Sequence, residues 1–343
     1  MIRLLTRYTD ISPQSWDTLV EQSPYATWFQ TREAYLFYAG QSRTMRPFVF
    51  AVEQDHTLCG LVAGYITHSP NPVRQFFTRR AIIIGGALLS DSISTDALSL
   101  LLSATRDTLS RQAIYIEFRN LHDYSPYKDI FIAQGFDYVP HLNFQVDCTD
   151  RSAVISRMKS NRRRQIRKGL ANGARIVEAQ SDADIAAWYS ILHNLYRNKV
   201  KTPLPDLSFF LSLYRTRHAV FLLVKHHDTV IGGIACPILD RRTMYEWYIC
   251  GLDKEYRHLY PSVLATYAAI DYAATHSIAC FDFMGAGTPD TPYGVRTFKS
   301  RFGGNEVSHG RFLHIASPTL YSLGRWVITA RIPINRTSLI RTS

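Results

Sequence analysis

Few folds accommodate the segment from Cys280 to Gly304. A short apolar run, Cys280 to Met284, is broken by one acid, Asp282, the pattern of a buried strand that carries a paired or functional carboxylate. Gly285, Gly287, Pro289, Asp290 and Pro292 then exclude regular structure as far as Tyr293. From Val295 onward, Val295, Phe298 and Phe302 recur on one face of a short helix, which Gly303-Gly304 closes. Arg296 and Lys299 fall off that face, toward the loop. The segment is therefore strand, loop and helix, and the remaining chain reads as its scaffold.

That scaffold is too long for one core, since 343 residues point to two domains. Ile2 to Arg7, Phe48 to Glu53, Leu58 to Thr67, Ala81 to Leu89, Ile114 to Arg119 and His141 to Cys148 read as strands of a first lobe, residues 1–150. Helices at Ser12–Gln22, Asp96–Leu109 and Phe131–Gly135 alternate with them. In the second lobe, residues 151–316, a basic helix precedes strands at Ala174–Ala179, Ala219–Lys225, Val230–Leu239, Thr243–Cys250 and Glu306–Ile315. Helices at Asp182–Lys199 and Val263–Ala274 complete it, and residues 317–343 form a C-terminal helix and tail. The fold class expected is α/β with mixed (α+β) sheets.

Charge divides the same way. Residues 1–150 hold 12 Lys+Arg against 15 Asp+Glu, and residues 151–343 hold 27 against 13, so the net +11 belongs to the second half. A polyanionic partner there, such as a tRNA, a coenzyme A phosphate or an anionic membrane surface, competes with a merely basic surface as explanation. The five cysteines have no metal-ligand spacing and read as reduced core residues. No signal peptide and no span long enough for a bilayer is evident, so a cytoplasmic protein, at most in peripheral contact with the inner membrane surface, is expected. Sequence signatures of zinc hydrolases, serine hydrolases and phosphate-loop nucleotidases are absent, and no metal site is expected.

Two stretches resemble a known family. Gly294-Val295-Arg296-Thr297-Phe298-Lys299-Ser300-Arg301-Phe302-Gly303 is similar to the Gly-(Leu/Val)-x-x-Phe-Lys-x-x-Phe-Gly signature of the Fem-type aminoacyltransferases, and Asn161 to Gly169 is similar to the basic helix that opens their second lobe. The resemblance implies two tandem lobes of the GNAT acyltransferase fold, with Phe298 and Lys299 as catalytic residues on the donor side. It also implies that Arg197, the aromatic strand with Tyr245 and Tyr248, and Tyr35 in the early aromatic position border the acceptor. Asp282 and Arg296 of the signature segment join that substrate-binding set. Glu246, on the aromatic strand, is either a proton acceptor or an ion-pair partner. Arg163, Arg167 and Lys168 of the basic helix, with Arg257, are candidates for donor phosphates. Glu117 and Arg119 read as either a pair facing a groove between the lobes or an internal ion pair on a sheet.

One departure bears on the donor. Where GNAT enzymes hold coenzyme A pyrophosphate on a glycine-rich turn at a helix start, this chain has Arg257-His258-Leu259-Tyr260-Pro261-Ser262. Tyr260 replaces a glycine and Pro261 deletes an N–H donor. The resemblance thus implies an acyltransferase with no bound cofactor, moving an aminoacyl group from aminoacyl-tRNA to an amine on a cell-envelope precursor. Alternatives are a coenzyme A-dependent N-acyltransferase of polysaccharide synthesis and a catalytically inactive basic binding protein.

Overall fold

A computed structural model of the chain describes residues 1–323, Pro292 excepted. In chain order the first elements are β1 (Ile2–Leu5), α1 (Pro13–Gln22), α2 (Arg32–Gly40), β2 (Met45–Gln54), β3 (Thr57–Thr67), α3 (Pro72–Thr78), β4 (Ala81–Gly85), β5 (Leu88–Leu89), α4 (Thr95–Leu109), β6 (Tyr115–Asn120), α5 (Lys128–Ala133) and β7 (Asp137–Val139). Then come β8 (Asn143–Asp147), α6 (Arg151–Arg157), α7 (Ser160–Ala171), β9 (Ala174–Glu178), α8 (Asp182–Leu195), α9 (Leu207–Arg215), β10 (Ala219–His226) and β11 (Thr229–Leu239). β12 (Thr243–Tyr245), β13 (Tyr248–Gly251), α10 (Pro261–Thr275), β14 (Cys280–Asp282), α11 (Gly294–Lys299), β15 (Asn305–Val307) and β16 (Arg311–Ile315) follow.

Local chemistry accounts for the boundaries. Ser12 caps α1 by accepting from the Ser15 N–H, and Pro13 takes the first helical position, where its missing donor costs nothing. The β2–β3 hairpin turns through Asp55 and His56, both at positive φ, as a tight two-residue turn of this hand requires. The apolar run 81–89, expected as one strand, is two, because Gly85 and Gly86 are both left-handed and Tyr124 donates into the break at Gly85 O and Ala87 O.

The strands form two mixed sheets. One runs β1-β2-β3-β4-β6-β16-β7, with β5 on β3; the other runs β15-β8-β14-β12-β11-β10-β9, with β13 on β11. Two expectations are corrected here. β8 does not end the first lobe but pairs with β14 and β15 of the second sheet, and the expected single strand 306–315 is two strands, β15 in the second sheet and β16 in the first. The lobes exchange strands, so a cut at residue 150 does not separate the sheets. The physical reason is side-chain fit. Phe312 of β16 stacks on Phe131 at 3.9 Å in the first core, whereas Phe144 and Val146 of β8 belong to the core around α10.

The lobes also share a core. Trp28, Phe29 and Phe37 from the first lobe pack with Phe209, Tyr245 and Trp247 from the second, centroids 5.0–6.3 Å apart. Arg242 ties the two further by donating to Val20 O and Ser23 O. All five cysteines are free thiols. Only the first turns of the expected C-terminal helix, through Leu323, fall among the described residues; Trp326 and Val327 lie outside them.

Candidate active site

Parallel strands β12 and β14 are paired over only three residues, Thr243–Tyr245 against Cys280–Asp282, and the Glu246 N–H then donates to Asp282 O at 2.9 Å. Beyond that rung they part. One extra residue on the first strand, between Met244 and Tyr248, makes a bulge that carries β13 along β11. The other chain stays with β8 and its approach: Phe283 N–H donates to Phe144 O, and Ala286 N–H to Leu142 O. Positive φ at Met284 and Gly285 makes this divergence.

Into the gap α11 sends Lys299. Its ammonium donates to Phe283 O at 2.7 Å and Gly285 O at 2.9 Å, and stands 3.0 Å from Glu246 Oε1, using all three of its donors. Lys299 points toward the loop side but is buried there: its side chain is 11% exposed and that of Glu246 4%. Burial raises the Glu246 pKa against the pull of Lys299, and Glu246 Oε2 has no hydrogen-bond partner among the described residues. Asp282 supports the gap instead of lining it. Its buried carboxylate accepts from Asn143 Nδ2, Gln145 Nε2 and the Met284 N–H, and burial raises its pKa against the bonds from Asn143 and Gln145.

Arg296 is likewise structural, in contrast to its expected place among the substrate ligands. Its guanidinium donates to the carbonyls of Ala286, Thr288, Pro289 and Thr291, which folds the glycine loop around one cation. Tyr245 is buried in the shared core, and Tyr35 stacks on Tyr8 at 4.7 Å beside Trp16; neither lines either of the two cavities described below. Tyr248, beyond the bulge, is partly buried against the same core as Tyr245 and lies 6.2 Å from Tyr196. Arg197 is exposed on the turn that follows α8.

A cavity of about 430 Å³ opens on the other side of α11, lined by Arg162, Asp253, Arg257, Tyr260, Phe298 and Arg301 among others. Arg162 is 2% exposed and sits between the rings of Phe298 and Phe302, 4.5 Å from each centroid, while donating to Phe298 O. Its Nε has no partner among the described residues, and burial, with repulsion from Arg301, lowers its pKa to about 10. In sequence Arg162 reads as one of the basic-helix cations that could meet phosphates; its spacing from Ile166 and Gly169, which share the buried face of α7, is the signal that it is buried. The cations of α7 part company here. Arg163 donates from Nη1 to Ser156 O and Met158 O and is partly buried, whereas Arg167 and Lys168 are exposed.

At the cavity's edge α10 begins with Tyr260 in the left-handed region and Pro261 at its first position. Asp253 occupies this helix start. Its carboxylate accepts from the Ser262 N–H at 3.0 Å and the Ser262 hydroxyl at 2.5 Å, so a protein carboxylate stands where a helix start would receive a ligand anion.

Among the described residues no group of His, Cys, Asp and Glu is arranged to hold a metal, and no helix is long and apolar enough to cross a membrane. In sequence, residues 156–299 match the model of the acetyltransferase (GNAT) domain. No curated protein matches the chain. Among solved structures it is similar to FemX, at 15% identity and a TM-score of 0.69 over 93% of this chain and 99% of that one. It is also similar to L-PGS from Bacillus licheniformis, at 10% identity and 0.57 over 92% and 96%. A tandem GNAT protein from the clavulanic acid biosynthesis pathway matches at 11% identity and 0.55 over 93% and 99%. The protein therefore has the tandem GNAT fold seen in FemX, and residues 156–299 match the acetyltransferase (GNAT) domain.

Proposed function

We propose that the protein transfers an aminoacyl group from aminoacyl-tRNA to an amine on a cell-envelope precursor, with the reaction at the gap between β12 and β14. The observation that carries this reading is the adjacency of Phe298 and Lys299: the ring lines the 430 Å³ cavity and the neighbouring ammonium closes the strand gap. A donor seated in the cavity, its phosphate facing Arg257 and Arg301, presents its ester carbonyl at the gap. The acceptor amine attacks that carbon and the ester C–O bond breaks, while Glu246 takes the proton shed by the amine and passes it to the departing ribose oxygen. On the β14 side the N–H groups of Phe283, Met284, Gly285 and Ala286 are all engaged. Stabilisation of the oxyanion is thus assigned to Lys299, by loosening its bond to Gly285 O, or to β13.

Asp253 favours tRNA over coenzyme A, because it competes with a pyrophosphate for the Ser262 N–H. The exposed Arg167 and Lys168 offer the tRNA backbone a track. Arg197 and Tyr248 remain the acceptor-side candidates. Peripheral contact with an anionic membrane fits α3, whose Val73, Phe76 and Phe77 are exposed beside Arg79 and Arg80. The test is a transfer assay in which radiolabelled aminoacyl-tRNA and acyl-coenzyme A are each offered with a cell-envelope extract. Label moved only from the coenzyme A thioester would replace the tRNA donor by the alternative, and no transfer from either, with donor binding retained, would favour a binding protein.

A further inference from the structure

Arg119 on β6 and Arg311 on β16 are directly paired across neighbouring strands and share one sheet face. Between them stands a single carboxylate. Glu117 Oε2 accepts from Arg119 Nε at 2.8 Å and Glu117 Oε1 from Arg311 Nη1 at 2.6 Å. Two guanidiniums against one carboxylate leave an excess positive charge. The fourth member does not cancel it: Arg311 Nη2 lies 3.0 Å from His141 Nε2, and burial together with Arg311 lowers the His141 pKa to about 4, so the ring is neutral and accepts. Both Nη atoms of Arg119 make no hydrogen bond among the described residues, and its side chain is 36% exposed.

Arg119, His141 and Arg311 border a recess of about 20 Å³, together with Asn120, Met284 and Gly285. Asn120 is buried and its Oδ1 has no partner among the described residues. The recess adjoins the reaction gap, because Gly285, which lines it, accepts through its carbonyl from Lys299. Its volume holds about one heavy atom, such as a single carboxylate or phosphoryl oxygen, so the rest of an anion stays outside it against the exposed Nη side of Arg119.

We propose that Arg119 and Arg311 form an anion-recognition site, taking a carboxylate or phosphoryl group of the acceptor so that its amine is held at the Lys299 gap. A planar fork of guanidinium donors matches either group through paired hydrogen bonds, and a lysine would not reproduce that geometry. The site rests on the acyl-transfer reading for its purpose, but its existence is read by binding alone.

The experiment titrates acetate, and separately inorganic phosphate, into the full-length protein while the arginine Nε–H resonances are followed by NMR, with Arg119 assigned from the Arg119→Lys variant. Saturable movement of the Arg119 signal is expected, at least tenfold weaker in Arg311→Gln. Arg119→Lys, which keeps the charge beside Glu117 and hence the fold, should weaken but not abolish protection of Arg311. Whichever anion saturates at lower concentration identifies the group the acceptor carries. If neither anion moves Arg119, or if Arg311→Gln leaves its titration unchanged, the proposal is overturned. Anion binding here without acyl transfer from any donor would sink the transfer reading and leave this site standing.

Discussion

Lys299 Nζ and Glu246 Oε1 stand 3.0 Å apart in the opening between two parallel strands, and nothing else among the described residues balances either charge there. The pair is buried, which governs what its removal does. Lys299→Met leaves a carboxylate in an apolar setting and two carbonyls without a donor. Breaking a buried pair from one side costs about 3–5 kcal/mol. We therefore expect Lys299→Met to lower stability by that order in urea unfolding, and Lys299→Met with Glu246→Gln to recover much of it. Unchanged stability in the single variant would show that the ion pair contributes nothing to the fold, and only then would its loss of activity report chemistry alone.

Stability should fall in two separate acid windows. His141 has its pKa lowered from 6.5 to about 4, so the unfolded chain takes up that proton first, and the stability held above pH 6.5 is lost as pH falls toward 4. Burial pushes Glu117 up, but Arg119 and Arg311 outweigh it and hold the carboxyl at about 2 against 4.5. Its contribution, at most about 3 kcal/mol, is complete above pH 4.5 and lost between there and pH 2. Glu117→Gln should flatten only the lower window and His141→Gln only the upper, as measured by denaturant midpoints across pH.

Removal of Asp253 should open the start of α10. Asp253→Ala costs about 1 kcal/mol of helix capping but frees the Ser262 N–H and hydroxyl. Affinity of the cavity for pyrophosphate or coenzyme A, read by calorimetry, should rise several-fold. A fall would mean that the carboxylate orders the turn more than it blocks the site.

Arg296→Ala should release the loop it gathers. Four carbonyls lose one cation, at a cost of about 2 kcal/mol. Hydrogen exchange at residues 286–291 should accelerate while β10 and β11 stay protected. Equal exchange would assign the loop's shape to its glycines and prolines alone.

RNA affinity should depend on salt through some cations of α7 and not others. Charge reversal of Arg167 and Lys168 should reduce the log–log slope by about 0.7 for each single-strand phosphate that these side chains cease to neutralise. Arg163→Glu should instead lower stability, since its guanidinium holds the end of α6. Equal slopes in wild type and the double reversal would remove the RNA track.

Hydrophobic period, turn chemistry and helix caps are short-range properties, and they were legible in the chain: the hairpin at Asp55-His56, the Ser12-Pro13 helix start, and the strand, loop and helix around Lys299 with Arg296 and Lys299 turned to the loop. Alternation along a strand states which face is apolar but not which edge it joins. The exchange of β8 and β16 between the sheets was therefore decided by the fit of Phe144 and Phe312 in different cores. Charge is visible in sequence but its partner is not. Lys299, Arg162, Arg163 and Arg296 read alike as cations available to a ligand, and burial divided them into an ion pair, a ring-stacked guanidinium and two clamps on backbone carbonyls. The joining of Arg119 to Arg311 across 192 positions of chain belongs wholly to tertiary structure, because only the return of the last strand to the first sheet brings the second guanidinium to Glu117.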